Sequence, residues 1–358
     1  MNKLIYDLEH TKNQSKKALF KVVSTFAGGG GSSTGYRLAG GLILGINEFI
    51  PAAQDAYAKN YPETHIFKQD IRQLTGVAIL DQLGLQKGEL DIFDGSPPCS
   101  SFSMAGLREK GWGREKKYSD KVQRSDDLFF EYARILNELQ PKVFIAENVK
   151  GLTVGAAKGV LGSDQFDMFN NQEETILNTL INCGYNVRFK VLNAKHYGVP
   201  QSRPRVIFIG VRNDINKPIT YPKESQIFTT LKDAFQGIEN DQKDLDECNI
   251  DKYAIGTELK KIKPGNSSEK YFSLVKQSEN RYSDTLTATA GNISAASIAH
   301  WDDRKFSVKE AIRIMSFPDD YYLGETYQNK IERLGRAVPP LMMKAIAEHV
   351  YETILKDL

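Results

Sequence analysis

Short, nearly continuous apolar runs recur through the first 212 residues and alternate with helix-like segments. The runs fall at 19–26, 42–47, 89–94, 142–147, 185–192 and 205–211, and the helix-like segments near 51–60, 126–139 and 171–182. Strands that are apolar on both faces need cover on both faces. Their alternation with helices predicts an α/β architecture, a doubly wound and mostly parallel sheet with right-handed crossovers. Such sheets bind ligands outside the carboxyl ends of their strands. The residues that follow each apolar run therefore carry the functional information.

The alternation stops near Arg212. From about 213 to 300 the chain is richer in Lys, Asp, Asn, Gln and Ser, and helical periodicity returns only at 307–315, stopped by Pro318. A last helix starts at Pro339-Pro340 and runs through Leu341, Ile346 and Val350; proline is well tolerated at a helix start. The expected organisation is a catalytic domain of residues 1–212 plus 331–358, a smaller loop-rich domain of 213–303, and a connecting hinge of 304–330. At 358 residues the chain is long enough for both domains.

No apolar run is long enough to span a bilayer, and the N-terminus lacks the apolar core of a signal peptide. Cys99, Cys183 and Cys248 are odd in number and lack metal-ligand spacing, so neither a disulfide framework nor a metal site is expected. A reducing, cytoplasmic compartment fits. The formal net charge is only +2, but 108–124 holds seven Lys/Arg against three acids, with Trp112 and Tyr118 interleaved. Such a run suits phosphates when it adjoins an active site, although most such runs are solvated loops.

It does adjoin one. Gly95-Ser96-Pro97-Pro98-Cys99 directly follows the apolar run ending at Phe93. The prolines stiffen the strand exit without using backbone donors, and they present a lone thiol where open sheets place their chemistry. Cys99 reads as a nucleophile.

Phe26-Ala27-Gly28-Gly29-Gly30-Gly31 follows the first run and precedes a helix. A dinucleotide fingerprint starting at Gly28 needs glycine where Ser33 stands, and a phosphate loop starting at Gly30 needs lysine where Tyr36 stands. S-adenosylmethionine has no phosphates and needs neither pattern. Glu48, ending the second run, suits ribose hydroxyls; Asp70 suits an adenine amino group, with Phe26 against the ring face. A plain glycine turn with two surface carboxylates is the bland alternative.

Glu147 ends the run beginning at Val143, on the same sheet edge as Cys99, where a glutamate can hold or donate a proton. A helix-capping acid is the structural alternative. Arg203 and Arg205, spaced i, i+2 on an extended segment, point the same way and are placed to reach one anionic or carbonyl-bearing ligand. A pair of structural salt bridges is the alternative here.

In this order the motifs resemble the DNA cytosine-5 methyltransferases of prokaryotic restriction–modification type, over most of the chain. Phe26 to Gly31 resembles that family's cofactor loop, Asn47-Glu48 its ribose segment and Asp70-Ile71 its adenine contact. Pro97-Pro98-Cys99 resembles its nucleophile motif, Glu147-Asn148-Val149 its glutamate motif, and Gly198 to Arg205 its arginine motif. Residues 304–318 and 335–340 resemble its C-terminal motifs, and Asp284 to Ala288 its recognition-domain signature. Two departures stand out: Arg336 replaces the usual asparagine, and Ser24-Thr25 stands where an acid commonly opens the cofactor motif.

The resemblance implies a Rossmann-like, S-adenosylmethionine-dependent methyltransferase sheet with a target-recognition domain. It implies cofactor contacts from Phe26, Ala27, Gly28, Gly30, Gly31, Glu48, Asp70, Ile71 and Pro98. It also implies addition of Cys99 to C6 of a flipped cytosine, with Glu147 on N3 and the exocyclic amine, Arg205 on O2, and Arg203 supporting the loop and the nucleophile. The segment 100–124 closes over the base, and 213–303 reads the sequence of double-stranded DNA. No residue is assigned to the base that removes the C5 proton. The implied setting is a monomer in the cytoplasm, associated with the nucleoid of a prokaryote or a phage-infected cell, partnered with a restriction endonuclease that cuts the same site. The alternatives are a tRNA cytosine-5 methyltransferase, whose Cys-Phe-Thr signature does not occur here, and a non-catalytic DNA-binding regulator, which is expected to lose Cys99 or Glu147. A nicotinamide oxidoreductase is disfavoured by Ser33.

Overall fold

The computed structural model describes residues 4–98, 116–118, 121–123, 127–153 and 176–358. Cys99 and most of 100–124 lie outside the described residues, apart from a strand pair, β5 (Lys116–Tyr118) with β6 (Lys121–Gln123).

The apolar runs form a seven-stranded sheet. Its strands are β1 (Lys21–Thr25), β2 (Leu42–Asn47), β3 (His65–Phe67), β4 (Ile92–Gly95), β7 (Val143–Val149), β8 (Tyr185–Asn193) and β9 (Pro204–Arg212), in the order β3-β2-β1-β4-β7-β9-β8. From β3 to β7 the neighbours are parallel; β9 runs antiparallel to both β7 and β8. The sheet is thus mostly parallel and doubly wound, as expected. Strand order reverses between β1 and β4, so a crevice opens there. The run lengths underestimate β3, whose three residues pair with β2 but are too few to show a pattern.

Alternate strand residues face opposite layers. Val22, Ile92, Val143 and Ile145 join a core with helices α1 (Leu8–Ser15), α2 (Gly31–Leu38) and α3 (Pro51–Asn60) and the helix Pro340–Val350. Val23, Phe93, Phe144 and Ala146 face the other way, onto α4 (Gly76–Leu83), α5 (Leu128–Leu139) and the helix Ile176–Asn182. The helix expected at 307–315 spans Val308–Ile314. Ser307 caps it, and Glu310 returns the bond to the Ser307 amide, the reciprocal arrangement that fixes a helix start. Between them, Ile250, Ile255, Leu259, Ile262, Leu274 and Ala299 form a small core of their own. Leu231, Leu286 and Ile298, although within 213–303, belong to the large core. Among the described residues no helix is long and apolar enough to cross a membrane.

Candidate active site

A cavity of about 550 Å³ opens at the switch between β1 and β4, a size suited to a small-molecule cofactor. Phe26, Ala27, Gly28, Gly31, Glu48, Asp70, Ile71 and Pro98 all line it; Gly30 does not, and instead caps the N-terminus of α2 with φ 89°. Phe26 itself holds a left-handed backbone, φ 53°, uncommon for an aromatic residue and the kind of strain that concentrates at functional sites.

Each acid is fixed before any ligand arrives. Glu48 Oε2 accepts from the Gly28 amide and Oε1 from the Ile50 amide, both at 2.8 Å. Burial raises its carboxyl above the usual range, although the amides of Ile50, Gly28 and Phe49 and the charge of Arg333 oppose this. Asp70 caps the turn Ile71–Gln73 by accepting from the Arg72 amide at 3.0 Å, and it pairs with the Arg72 guanidinium at 3.1 Å. Oxygen lone pairs on both carboxylates remain for further donors. A side chain at Gly28 would meet nothing within 4 Å, so open space lies above this loop where its φ is 53°. A nucleoside with an amino-acid tail fits this donor set: carboxylates for hydroxyls and an amine, bare backbone beneath, and no phosphate-binding lysine. S-adenosylmethionine is such a molecule.

At the β7 side of the cavity, Glu147 is paired with Arg205. Glu147 lies opposite Ile207 in the antiparallel β7–β9 register, and Arg205 opposite Val149, so the two side chains share a face diagonally. Glu147 Oε1 is 2.8 Å from Arg205 Nε. Burial holds the Arg205 guanidinium below its usual range, with Glu147 opposing. Asn148, given no role by its sequence position, donates to the Pro97 carbonyl at 3.1 Å and so ties the glutamate strand to the segment entering Cys99.

Arg203 also lines the cavity, but its guanidinium is bonded to backbone carbonyls. Its Nη atoms donate to the carbonyls of Leu286 (2.9 Å), Gly335 (2.8 Å) and Ala337 (3.0 Å), and it is fully buried. Burial and the neighbouring Arg205 hold it well below the usual arginine range, with Glu147 opposing. It joins the strand edge to the segment at Leu286 and to the helix Tyr327–Arg336.

Two cavity residues carry no sequence signal. Arg333 lies over Gly29 and donates to the carbonyls of Ala52 and Leu323. Asp94, near the end of β4, is 1% exposed. Arg336 lines the cavity from the rim and pairs with Glu332 at 2.9 Å.

The family model for C-5 cytosine-specific DNA methylases matches residues 20–352. The chain is 28% identical over 374 residues to the type II methyltransferase M.NgoPII of Neisseria gonorrhoeae, covering 93% of this chain and 96% of that one. It is 29% identical over 360 residues to the type II methyltransferase M.MthTI of Methanothermobacter thermautotrophicus, covering 94% and 97%. A solved protein described as a DNA modification methyltransferase of an Escherichia coli prophage superposes with a TM-score of 0.71 at 20% identity, covering 93% of this chain and 99% of that one. The Dnmt2 methyltransferase of S. pombe gives 0.63 at 18%, covering 93% and 98%. At these identities the two structures speak for the fold alone. With the family model spanning nearly all of the chain, this protein belongs to the C-5 cytosine-specific DNA methylases, enzymes whose methyl donor is S-adenosylmethionine.

Proposed function

We propose that the chain methylates one cytosine within a specific short sequence of duplex DNA, reached by flipping the base out of the helix. The Glu147–Arg205 pair at the carboxyl edge of the sheet carries this reading: an acceptor and a donor are held together on the strands beyond the cofactor loop. C6 is out of reach inside a duplex, so the base must leave the stack.

C5 of cytosine is a weak nucleophile. The Cys99 thiolate forms a bond to C6, and the ring electrons move toward N3 and O2, which activates C5. Glu147 binds N3 and the exocyclic amine, and Arg205 binds O2, where negative charge develops; donors fixed in advance at such positions are a large catalytic term. Bound S-adenosylmethionine supplies a methyl group activated by its sulfonium charge. Phe26, Glu48 and Asp70 hold its nucleoside. After transfer the C5 proton leaves, the Cys99–C6 bond breaks and the thiolate is regenerated.

Residues 213–303 supply sequence readout, and 100–124 covers the flipped base. Similarity to proteins named type II methyltransferases supports a role in a restriction–modification system, protecting host DNA from an endonuclease that cuts the same site. The protein acts as a monomer in the cytoplasm.

Methylation mapping tests this reading. Incubation with S-adenosylmethionine and unmethylated genomic DNA, followed by sequencing for 5-methylcytosine, is expected to show one short motif methylated at one position. Cys99→Ala is expected to abolish the signal and keep S-adenosylhomocysteine binding. Methylation of tRNA in place of DNA would overturn the substrate assignment, and turnover by the alanine variant would overturn the mechanism.

A further inference from the structure

Two carboxyl groups that line the cavity, Asp94 and Glu332, are not used by the mechanism above; Glu332 is paired with Arg336 at 2.9 Å, whereas Asp94 is not paired with a cation among the described residues. Asp94 is the register partner of Ser24 across the parallel β1–β4 pair. Its Oδ2 accepts from Ser24 Oγ at 2.6 Å and its Oδ1 from Tyr36 Oη at 2.9 Å. Ser24, Tyr36 and Asp94 are all buried, and Ser24 and Asp94 line the cavity. The other titratable groups facing it are Tyr132, from α5, and Glu147, from β7. Every one of these neighbours is neutral or acidic, and among the described residues no basic side chain forms an ion pair with Asp94. Burying a carboxylate without a cation is costly, and the group protonates instead. Burial, reinforced by Glu147 and opposed by Ser24 and Tyr36, moves Asp94 up to about 7.

Position along the sheet edge says what cation completes the site. Asp70 follows β3, Glu48 follows β2, the glycine loop follows β1, Asp94 lies near the end of β4 and Glu147 lies on β7, in that spatial order. An extended ligand with adenine near Asp70 and ribose near Glu48 brings its amino-acid tail to the β1–β4 crevice. That tail carries an ammonium group. We propose that Asp94 is the receptor for the ammonium group at the amino-acid end of S-adenosylmethionine and of its product. Below its midpoint Asp94 is a carboxylic acid in the empty protein; on binding, its O–H bond breaks, the proton goes to solvent, and the carboxylate pairs with the ammonium. This inference rests on the assignment of the cavity to S-adenosylmethionine.

Calorimetric titration of the full chain with S-adenosylhomocysteine tests it, in buffers of different ionisation enthalpy at about pH 6 and about pH 8, either side of the Asp94 midpoint. The wild type is expected to release up to one proton per ligand at the lower pH and far less at the higher. Asp94→Asn is expected to abolish this release and to weaken binding roughly 10- to 100-fold at the higher pH, about 1.4–2.7 kcal/mol. 5′-Methylthioadenosine, which lacks the amino-acid tail, is expected to bind both proteins equally; this also reports that the variant is folded. Ser24→Ala removes a bond that favours the carboxylate, so it is expected to move the midpoint of proton release to higher pH. Wild-type affinity and proton release in the asparagine variant would overturn the proposal. Failure of the wild type to bind either compound would overturn the cofactor assignment and this inference with it. Equal weakening of both compounds in the variant would show a structural role for Asp94 and overturn the proposal alone.

Discussion

Arg203 Nη2 donates to the Gly335 carbonyl across 2.8 Å, joining residues separated by 132 positions in the chain. The same guanidinium holds Leu286 and Ala337, so one side chain binds the edge of the sheet, the segment at Leu286 and the C-terminal wall of the cavity to each other.

Arg203→Lys replaces a planar fork by a single ammonium and leaves at least one of the three buried carbonyls without its donor. The expected cost is about 2–4 kcal/mol of folding stability, read as a lower urea midpoint at unchanged slope. An unchanged midpoint would show that the tie is dispensable.

Glu147→Gln keeps the shape of the site but removes the charge that faces Arg205 Nε. Methyl transfer to DNA is expected to fall by about 10²–10³-fold, while S-adenosylhomocysteine affinity stays within about twofold of wild type. Tritium-transfer kinetics alongside calorimetry separate the two readouts. Loss of cofactor affinity in parallel with activity would contradict a role confined to the target base.

Gly335 is a contact glycine. A Cβ there would stand 2.4 Å from the Thr287 carbonyl carbon and 2.5 Å from the Ala288 nitrogen, both backbone atoms that cannot rotate away. Gly335→Ala is expected to force the helix Tyr327–Arg336 off the 287–291 segment, at a cost of about 1–3 kcal/mol and with weaker S-adenosylhomocysteine binding. Gly84 offers the contrast: its φ is 63° but nothing lies within 4 Å, so Gly84→Ala is expected to cost about 1 kcal/mol of backbone strain and leave binding alone. Thermal melts with and without ligand distinguish them.

His300 makes stability depend on pH. It lies against Trp301, with ring centroids 3.8 Å apart, and is buried among Phe235, Phe306, Glu310 and Arg304. Burial pushes it down to about 4, with Arg304 adding to the effect and Glu310 and Asp302 opposing it. Between that value and the unfolded value near 6.5, the unfolded chain binds the additional proton. His300 therefore stabilises the fold fully above pH 6.5, and that contribution is lost as pH falls toward 4. His300→Gln is expected to flatten the dependence of the unfolding midpoint on pH across this window. A slope identical to that of the wild type would remove His300 as its cause.

The strands β1, β2, β4 and β7 are legible in the sequence because each is largely buried on both faces and so has a nearly continuous apolar core of residues. The helix Gly76–Leu83 escapes because it is short and dense in apolar residues, a pattern shared with a strand. Glu147 and Arg205 are legible because each stands at a strand end within a recognisable motif. Arg203 is visible, but its partners at 286, 335 and 337 are not, because no local spacing shows which carbonyls a long side chain will reach. Asp94 is invisible for a related reason. An aspartate closing an apolar run reads as a surface residue, and only the β1–β4 register places it against Ser24, where the sequence shows an acid missing. What a strand end carries is local information; what it touches is not.

The cavity borrows its far wall from residues synthesised late. The Val338 carbonyl occupies the place a Gly31 side chain would take, and Arg333 lies across Gly29. A ribosome that has made the glycine loop, both acids and the nucleophile still has about 230 residues of translation before it reaches Arg333 and Val338. A nascent chain of that length therefore carries the glycine loop and the nucleophile motif without the residues that wall the cavity on its far side.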